Sequence, residues 1–223
     1  MTTERDPLRV FFFGDSICFG QGVALHKGWV PRISAELSDC KPKSDRETLV
    51  INSAVNGDTT RKALERMGYD VQSHGVDIIV IQFGMNDCNI WESNKGLPRV
   101  SPDSFETNLE EIVTRARNFG ARRVFLHTNH PTLKTDPLPN TEIPYEWQNQ
   151  RYNEIIRNVA NRDNDIVLHD VESKFREKIQ ESEMSLNELV LPDNLHLSEQ
   201  GHDLYFEFVL PQIQAAVQQL LDE

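Results

Sequence analysis

Arg9-Val10-Phe11-Phe12-Phe13 runs straight into Gly14-Asp15-Ser16-Ile17. The first five residues are β-favouring and almost wholly apolar, the reading of a strand buried on both faces of a parallel sheet. Glycine and aspartate end the run, and a serine stands where a helix would begin. A strand that delivers a polar turn at its carboxyl end suits an open α/β sheet, in which ligands bind beyond the strand ends.

The pattern recurs outward from this stretch. Leu49–Val55, Asp77–Phe83, Arg123–His127 and Ile166–His169 are further short runs rich in Val, Ile, Leu or Phe. Helical periodicity fills the intervals. In Pro102–Phe119, the residues Phe105, Leu109, Ile112, Val113, Ala116 and Phe119 share a face. Ser101 suits its N-cap, Pro102 the first position and Gly120 the stop. Tyr152, Ile155, Ile156 and Val159 form a second stripe. A helix is expected from Ser198 toward Val209. A separate one is expected from Pro211 to near Leu221, because an interior proline removes a hydrogen bond and clashes. The alternation predicts one domain over residues 1–223, a three-layer α/β/α sandwich with a central parallel sheet of about five strands. The one long irregular stretch, His130–Tyr145, carries Pro131, Pro137, Pro139 and Pro144, and loops of that length are often functional.

The 23 basic and 35 acidic residues leave a net charge of −12. Such a surface repels phosphate backbones and anionic lipid, so nucleic-acid and membrane-surface partners are disfavoured. Cys18, Cys40 and Cys88 form no Cys-x-x-Cys pair, which points to reduced thiols and a cytoplasmic setting. Residues 1–7 lack the basic segment of a signal peptide, and Val10–Phe13 is too short for its apolar core. No run reaches the length of a membrane span. His127, His130, His196 and His202 lack the paired spacing of a zinc site, so no metal or other cofactor is expected. Trp29, Trp91 and Trp147 read as core residues by default, with stacking on a sugar or acyl chain as the alternative.

Four strand ends carry polar or glycine-rich turns: Gly14-Asp15-Ser16, Asn56-Gly57-Asp58, Gly84-Met85-Asn86-Asp87 and Thr128-Asn129-His130. Ser16 alone reads by default as a capping or turn serine. A serine hydroxyl becomes a nucleophile when a base takes its proton and a carboxylate orients that base. Asp193-Asn194-Leu195-His196 supplies both within three residues. The oxyanion that forms in acyl transfer needs donors. Asn86 offers a side-chain N–H and Gly57 a backbone N–H, although each alone reads as a turn former. Cys18, two residues past Ser16, shows no positive surroundings that would activate it.

These blocks, in this order, resemble those of the SGNH, or GDSL-type, hydrolase family. They are Phe13-Gly14-Asp15-Ser16-Ile17, Asn56-Gly57-Asp58-Thr59-Thr60, Gly84-Met85-Asn86-Asp87 and Asp193-Asn194-Leu195-His196-Leu197. The resemblance implies a flavodoxin-like fold and metal-free cleavage of a small-acyl, O-acetyl-carbohydrate, aryl or lysophospholipid ester. Thioesterase or acyltransferase chemistry on the same site is the alternative, and a non-catalytic binding protein a further one. It implies Ser16 as nucleophile, His196 as base and Asp193 as its partner. The Ser16 amide, the Gly57 amide and the Asn86 side chain would form the oxyanion hole. Cys18 departs from the small polar residues commoner at that position. Asn129 and His130, at the end of the fourth strand, are expected to line the substrate pocket, and the loops 89–99 and 131–145 to set specificity.

Overall fold

The strand β1 (Leu8–Gly14) sends its side chains alternately into two cores. Leu8, Val10 and Phe12 face one, Phe11 and Phe13 the other, and all five are fully buried. The computed structural model describes residues 6–38, 40, 46–181 and 184–223. Four more strands join β1: β2 (Thr48–Asn52), β3 (Ile78–Gln82), β4 (Arg123–His127) and β5 (Ile166–His169). All pairings are parallel and the order is β2-β1-β3-β4-β5. This order reverses direction of winding at β1/β3, the crevice where ligands bind in such sheets.

Helices cover both faces, which gives a three-layer α/β/α sandwich. On one side α2 (Trp29–Ser38), α6 (Val171–Gln180), α7 (Leu186–Leu189) and α8 (Glu199–Asp222) enclose the core of Val10, Phe12, Val80 and Phe125. On the other, α3 (Thr60–Asp70), α4 (Pro102–Asn118) and α5 (Tyr145–Asn161) enclose that of Phe11, Phe13, Ile81 and Leu126. Each fully buried Phe contributes roughly 1.5–3 kcal/mol by leaving water. No described helix is long and apolar enough to cross a membrane.

Four expectations need correction. The break at Pro211 is absent, since α8 runs unbroken through it. Tyr205, Val209, Ile213, Val217 and Leu220 form one buried stripe along that helix, and Pro211 lies exposed on the opposite face. Packing of a continuous stripe outweighs the local penalty of one proline. Phe119 is 47% exposed, because α4 ends at Asn118 and Phe119 caps it outside the core. Trp29 is a core residue, but Trp91 and Trp147 are each 51% exposed. At the strand ends, Val55 falls outside β2, yet the Ser53 and Val55 amides still donate to the Phe12 and Gly14 carbonyls at 2.8 and 3.0 Å. The pairing with β1 therefore continues to the glycine before Asp15.

Candidate active site

Ser16 opens α1 (Ser16–Phe19), the helix expected after β1, which is a single turn long. Its dipole is correspondingly small, and the Ser16 amide itself is the significant donor. The Asp15 side chain caps the turn by accepting from the Ile17 amide at 3.0 Å, and Gly20 closes it with φ 85°. The Trp29 indole donates to the Ile17 carbonyl, and the Cys18 amide to Gln82 Oε1. Gly14 lets the turn lie against β3, because a Cβ there would stand 2.6 Å from Cys18 Cβ and 2.8 Å from the Gln82 carbonyl.

His196 comes from the far end of the chain, on the loop between α7 and α8. A bridge between Val190 and Leu197 closes that loop, and the Leu191 amide donates to the His196 carbonyl at 2.7 Å. Ser198 caps α8 through the Gly201 amide. Gly201 permits this approach, since a Cβ there would fall 2.1 Å from the Leu189 carbonyl.

The structure brings Ser16, His196 and Asp193 into one chain of contacts. His196 Nε2 lies 3.0 Å from Ser16 Oγ, and Nδ1 lies 2.5 Å from Asp193 Oδ2. The Asp193 carboxylate accepts only, so Nδ1 carries the proton and Nε2 is left to accept from the Ser16 hydroxyl. Burial works to raise the Asp193 carboxyl. Hydrogen bonds from the His196 ring and from the Leu195 and His196 amides outweigh it, and the group sits below the usual carboxylate range. Ser16 is 6% exposed and His196 9%, so both are largely shielded from solvent.

The expected oxyanion donors are tied to the Ser16 turn, Asn86 through Asp15 and Gly57 through Arg99 to Asn86. Gly57 has φ 76°, a conformation that favours glycine, and a Cβ would meet nothing within 4 Å, so the space above it is open. Among the described residues neither the Ser16 nor the Gly57 backbone N–H has a protein acceptor. Asn86 donates one N–H to Asp15 Oδ2 at 3.2 Å, and its other N–H has no protein acceptor among the described residues.

Asn129 and His130 are not at the cleft surface. They are 1% and 0% exposed and serve as supports, which corrects the expected pocket-lining role. His130 Nε2 donates to the Leu195 carbonyl at 2.8 Å, directly beneath the loop that carries His196. Asn129 Oδ1 accepts from Gln82, and Asn153 holds the Asn129 backbone from both sides.

Sequence reasoning missed three groups. Asp15 is fully buried, and burial, reinforced by the Asp87 charge, pushes its carboxyl up to about 7 against the pull of the Ile17 amide. Burial likewise takes Asp87 to about 6, although the Thr60 amide and hydroxyl bond it at 2.9 and 2.6 Å. Arg99 donates to the Gly57 carbonyl at 2.9 Å and to Asn86 Oδ1 at 3.1 Å, and stacks on Trp91 at 4.3 Å. Asp15 stands inside a quoted block and was legible; nothing around Arg99 in the sequence marks it.

A cleft of about 460 Å³ opens from Asp193 and Asn194 between the loops 89–99 and 131–145. Trp91, Glu92, Asn89, Lys134 and Asp136 bring polar and aromatic groups to its wall, and Leu133, Pro137 and Tyr145 apolar ones. No cluster of described residues could hold a metal ion.

The profile of the GDSL-like lipase/acylhydrolase family matches residues 12–204. The sequence is 27% identical over 123 residues to an arylesterase of Vibrio mimicus, covering 55% of this chain and 56% of that one. It is 28% identical over 131 residues to esterase TesA of Pseudomonas aeruginosa, covering 59% of each. The chain thus spans little more than half the length of these relatives. The fold superimposes on the lipase/acylhydrolase of Enterococcus faecalis with a TM-score of 0.67, at 23% identity and over 93% of this chain and 96% of that one. It superimposes on the acetylxylan esterase Axe2 of Geobacillus stearothermophilus with a TM-score of 0.73, at 21% identity and over 96% of each.

Proposed function

The chain belongs to the GDSL-like lipase/acylhydrolase family, and from that premise we propose that it is a serine hydrolase that cleaves a carboxylic ester through Ser16, His196 and Asp193. The observation that carries this reading is the relay itself, with Ser16 Oγ 3.0 Å from His196 Nε2 and Asp193 2.5 Å from Nδ1. His196 takes the Ser16 proton as the oxygen attacks the ester carbonyl. The negative charge that develops on the carbonyl oxygen is met by the Ser16 and Gly57 amides and the free N–H of Asn86. The imidazolium then protonates the leaving alcohol. A water enters, gives its proton to His196 and releases the acid from the acyl-enzyme.

The cleft beside Asp193 and Asn194 lies on the histidine side of the serine. The base returns its proton to the departing oxygen, so that side receives the alcohol. Its mixed wall favours a polar or aromatic alcohol over a long alkyl chain. The arylesterase and acetylxylan esterase names of the relatives are in keeping with this preference.

Ser16→Ala and His196→Ala are each expected to abolish hydrolysis of short p-nitrophenyl esters and labelling by a fluorophosphonate, with the melting temperature retained. Turnover by folded Ser16→Ala at the parent rate would refute the assignment. A panel of acetyl esters of aryl, sugar and alkyl alcohols should then spread more widely in kcat/KM than a panel that varies acyl length.

A further inference from the structure

We propose that Arg99 is a positioning residue of the oxyanion hole, a two-point clamp that fixes Gly57 and Asn86 relative to each other; this rests on the serine-hydrolase reading above. The two donors come from different strands. Gly57 follows β2 and Asn86 follows β3, and among the described residues only the Arg99 guanidinium is hydrogen-bonded to both.

The clamp is anchored at its base. The Arg99 amide donates to the Asn89 carbonyl at 2.9 Å and the Val100 amide to the Asp87 carbonyl at 3.1 Å, which ties the loop back to the end of β3. Trp91 lies against the guanidinium plane. A planar fork held on one face by an aromatic ring keeps its direction, where an ammonium on a flexible stem would not.

Its chemical consequence is the orientation of Asn86. Arginine only donates, so the atom it touches must be the amide oxygen. At the other end of the amide the nitrogen donates to Asp15 Oδ2. The Arg99 contact forbids the flipped amide, which would set N–H against N–H. One N–H of Asn86 is thereby left without a protein acceptor among the described residues. A cation on the amide oxygen also draws electron density from the nitrogen and makes that N–H a stronger donor, as in other chained hydrogen bonds. Burial works against the charge of the fork and holds it below the ordinary arginine range, and the Asp87, Asp58 and Asp15 carboxyls offset part of that cost.

The test compares Arg99→Ala and Arg99→Lys with the parent enzyme on p-nitrophenyl acetate, with melting curves to certify folding. Arg99→Ala should lower kcat about 10- to 100-fold, somewhat less than loss of a whole oxyanion donor, with KM within about threefold. Fluorophosphonate labelling of Ser16 should slow by a similar factor, since the phosphoryl oxygen uses the same donors. Guanidinium at millimolar concentration should restore part of the rate to Arg99→Ala, which a purely structural role would not allow. Arg99→Lys keeps the charge and reaches one partner, so it should recover only a fraction. Unchanged kcat in folded Arg99→Ala, a loss confined to KM, no recovery with guanidinium, or full activity in Arg99→Lys would each overturn the clamp. Failure of the underlying reading shows separately, as a parent protein that does not label at Ser16.

Discussion

Asp193 has the most open side chain of the three-residue relay, 47% exposed against 11% for His196. An orienting carboxylate acts by fixing the imidazole tautomer. Asp193→Asn would offer Nδ1 either an oxygen or an N–H, and the second choice puts a proton on Nε2 where the serine needs an acceptor. In a buried serine-protease triad this change costs about 10⁴ in kcat. Solvent can partly replace Asp193, so a loss of about 10²- to 10³-fold is expected here, measured as kcat on a short p-nitrophenyl ester. Gly57 gives a second test at this scale. Its φ of 76° makes alanine strained by roughly 1–2 kcal/mol, while the open space above it leaves no clash. Gly57→Ala should therefore remain folded, with a slightly lower melting temperature, and lose rate because the amide turns away from the serine.

Pro211 sits on the exposed face of α8, and its ring lacks the N–H that would bond the Glu207 carbonyl four residues earlier. With the helix already continuous, Pro211→Ala should raise stability by on the order of 1 kcal/mol, read as a higher melting temperature or urea midpoint. An unchanged or lowered midpoint would mean that the proline shapes a curve the core requires. The misreading of this element has a physical reason. Local rules weigh one residue at a time, whereas Tyr205, Val209, Ile213, Val217 and Leu220 together bury one stripe against the sheet. The five strands were legible because both faces are buried and the runs are nearly unbroken in apolar residues. Ser16, Asp193 and His196 were legible as types at strand and loop ends, because the proposed roles of nucleophile, base and orienting acid each need a particular side chain. Arg99 was not, because its role depends on where two separate loops come to rest. The inward turn of Asn129 and His130 was hidden for the same reason, as strand order says which edge a residue reaches and not which way it faces.

At the scale of the whole molecule, four imidazoles lie inside the sandwich and outside the relay. Burial takes His130 down to about 3, and His169 and His202 to about 4. His127 falls well below its ordinary value through burial and the neighbouring His169. His127 and His169 are joined at 2.8 Å, and Tyr205 bonds the other nitrogen of His127. Unfolded, these rings titrate near 6.5, so between about pH 6.5 and 4 the unfolded chain binds more protons and acid favours unfolding. Asp15 and Asp87 act in the opposite sense. Folded, they hold protons up to about 7 and about 6, which the unfolded chain releases near 3.9, so their contribution weakens as pH rises. Four rings outweigh two carboxyls, and stability should fall from pH 6.5 to 4 by on the order of 1–3 kcal/mol per pH unit. Urea midpoints at pH 7 and pH 5 measure it; a higher midpoint at pH 5 would show the carboxyls dominant. The contact between Ser16 and His196 also joins residues 180 positions apart. The centre of the sheet is complete by Gln82, but the histidine arrives only when the loop before α8 docks. Contacts so distant along the chain form late. A refolding sample should regain its circular dichroism before it regains reaction with a fluorophosphonate, and a nascent chain would hold Ser16 without its partner imidazole until residue 196 had left the ribosome.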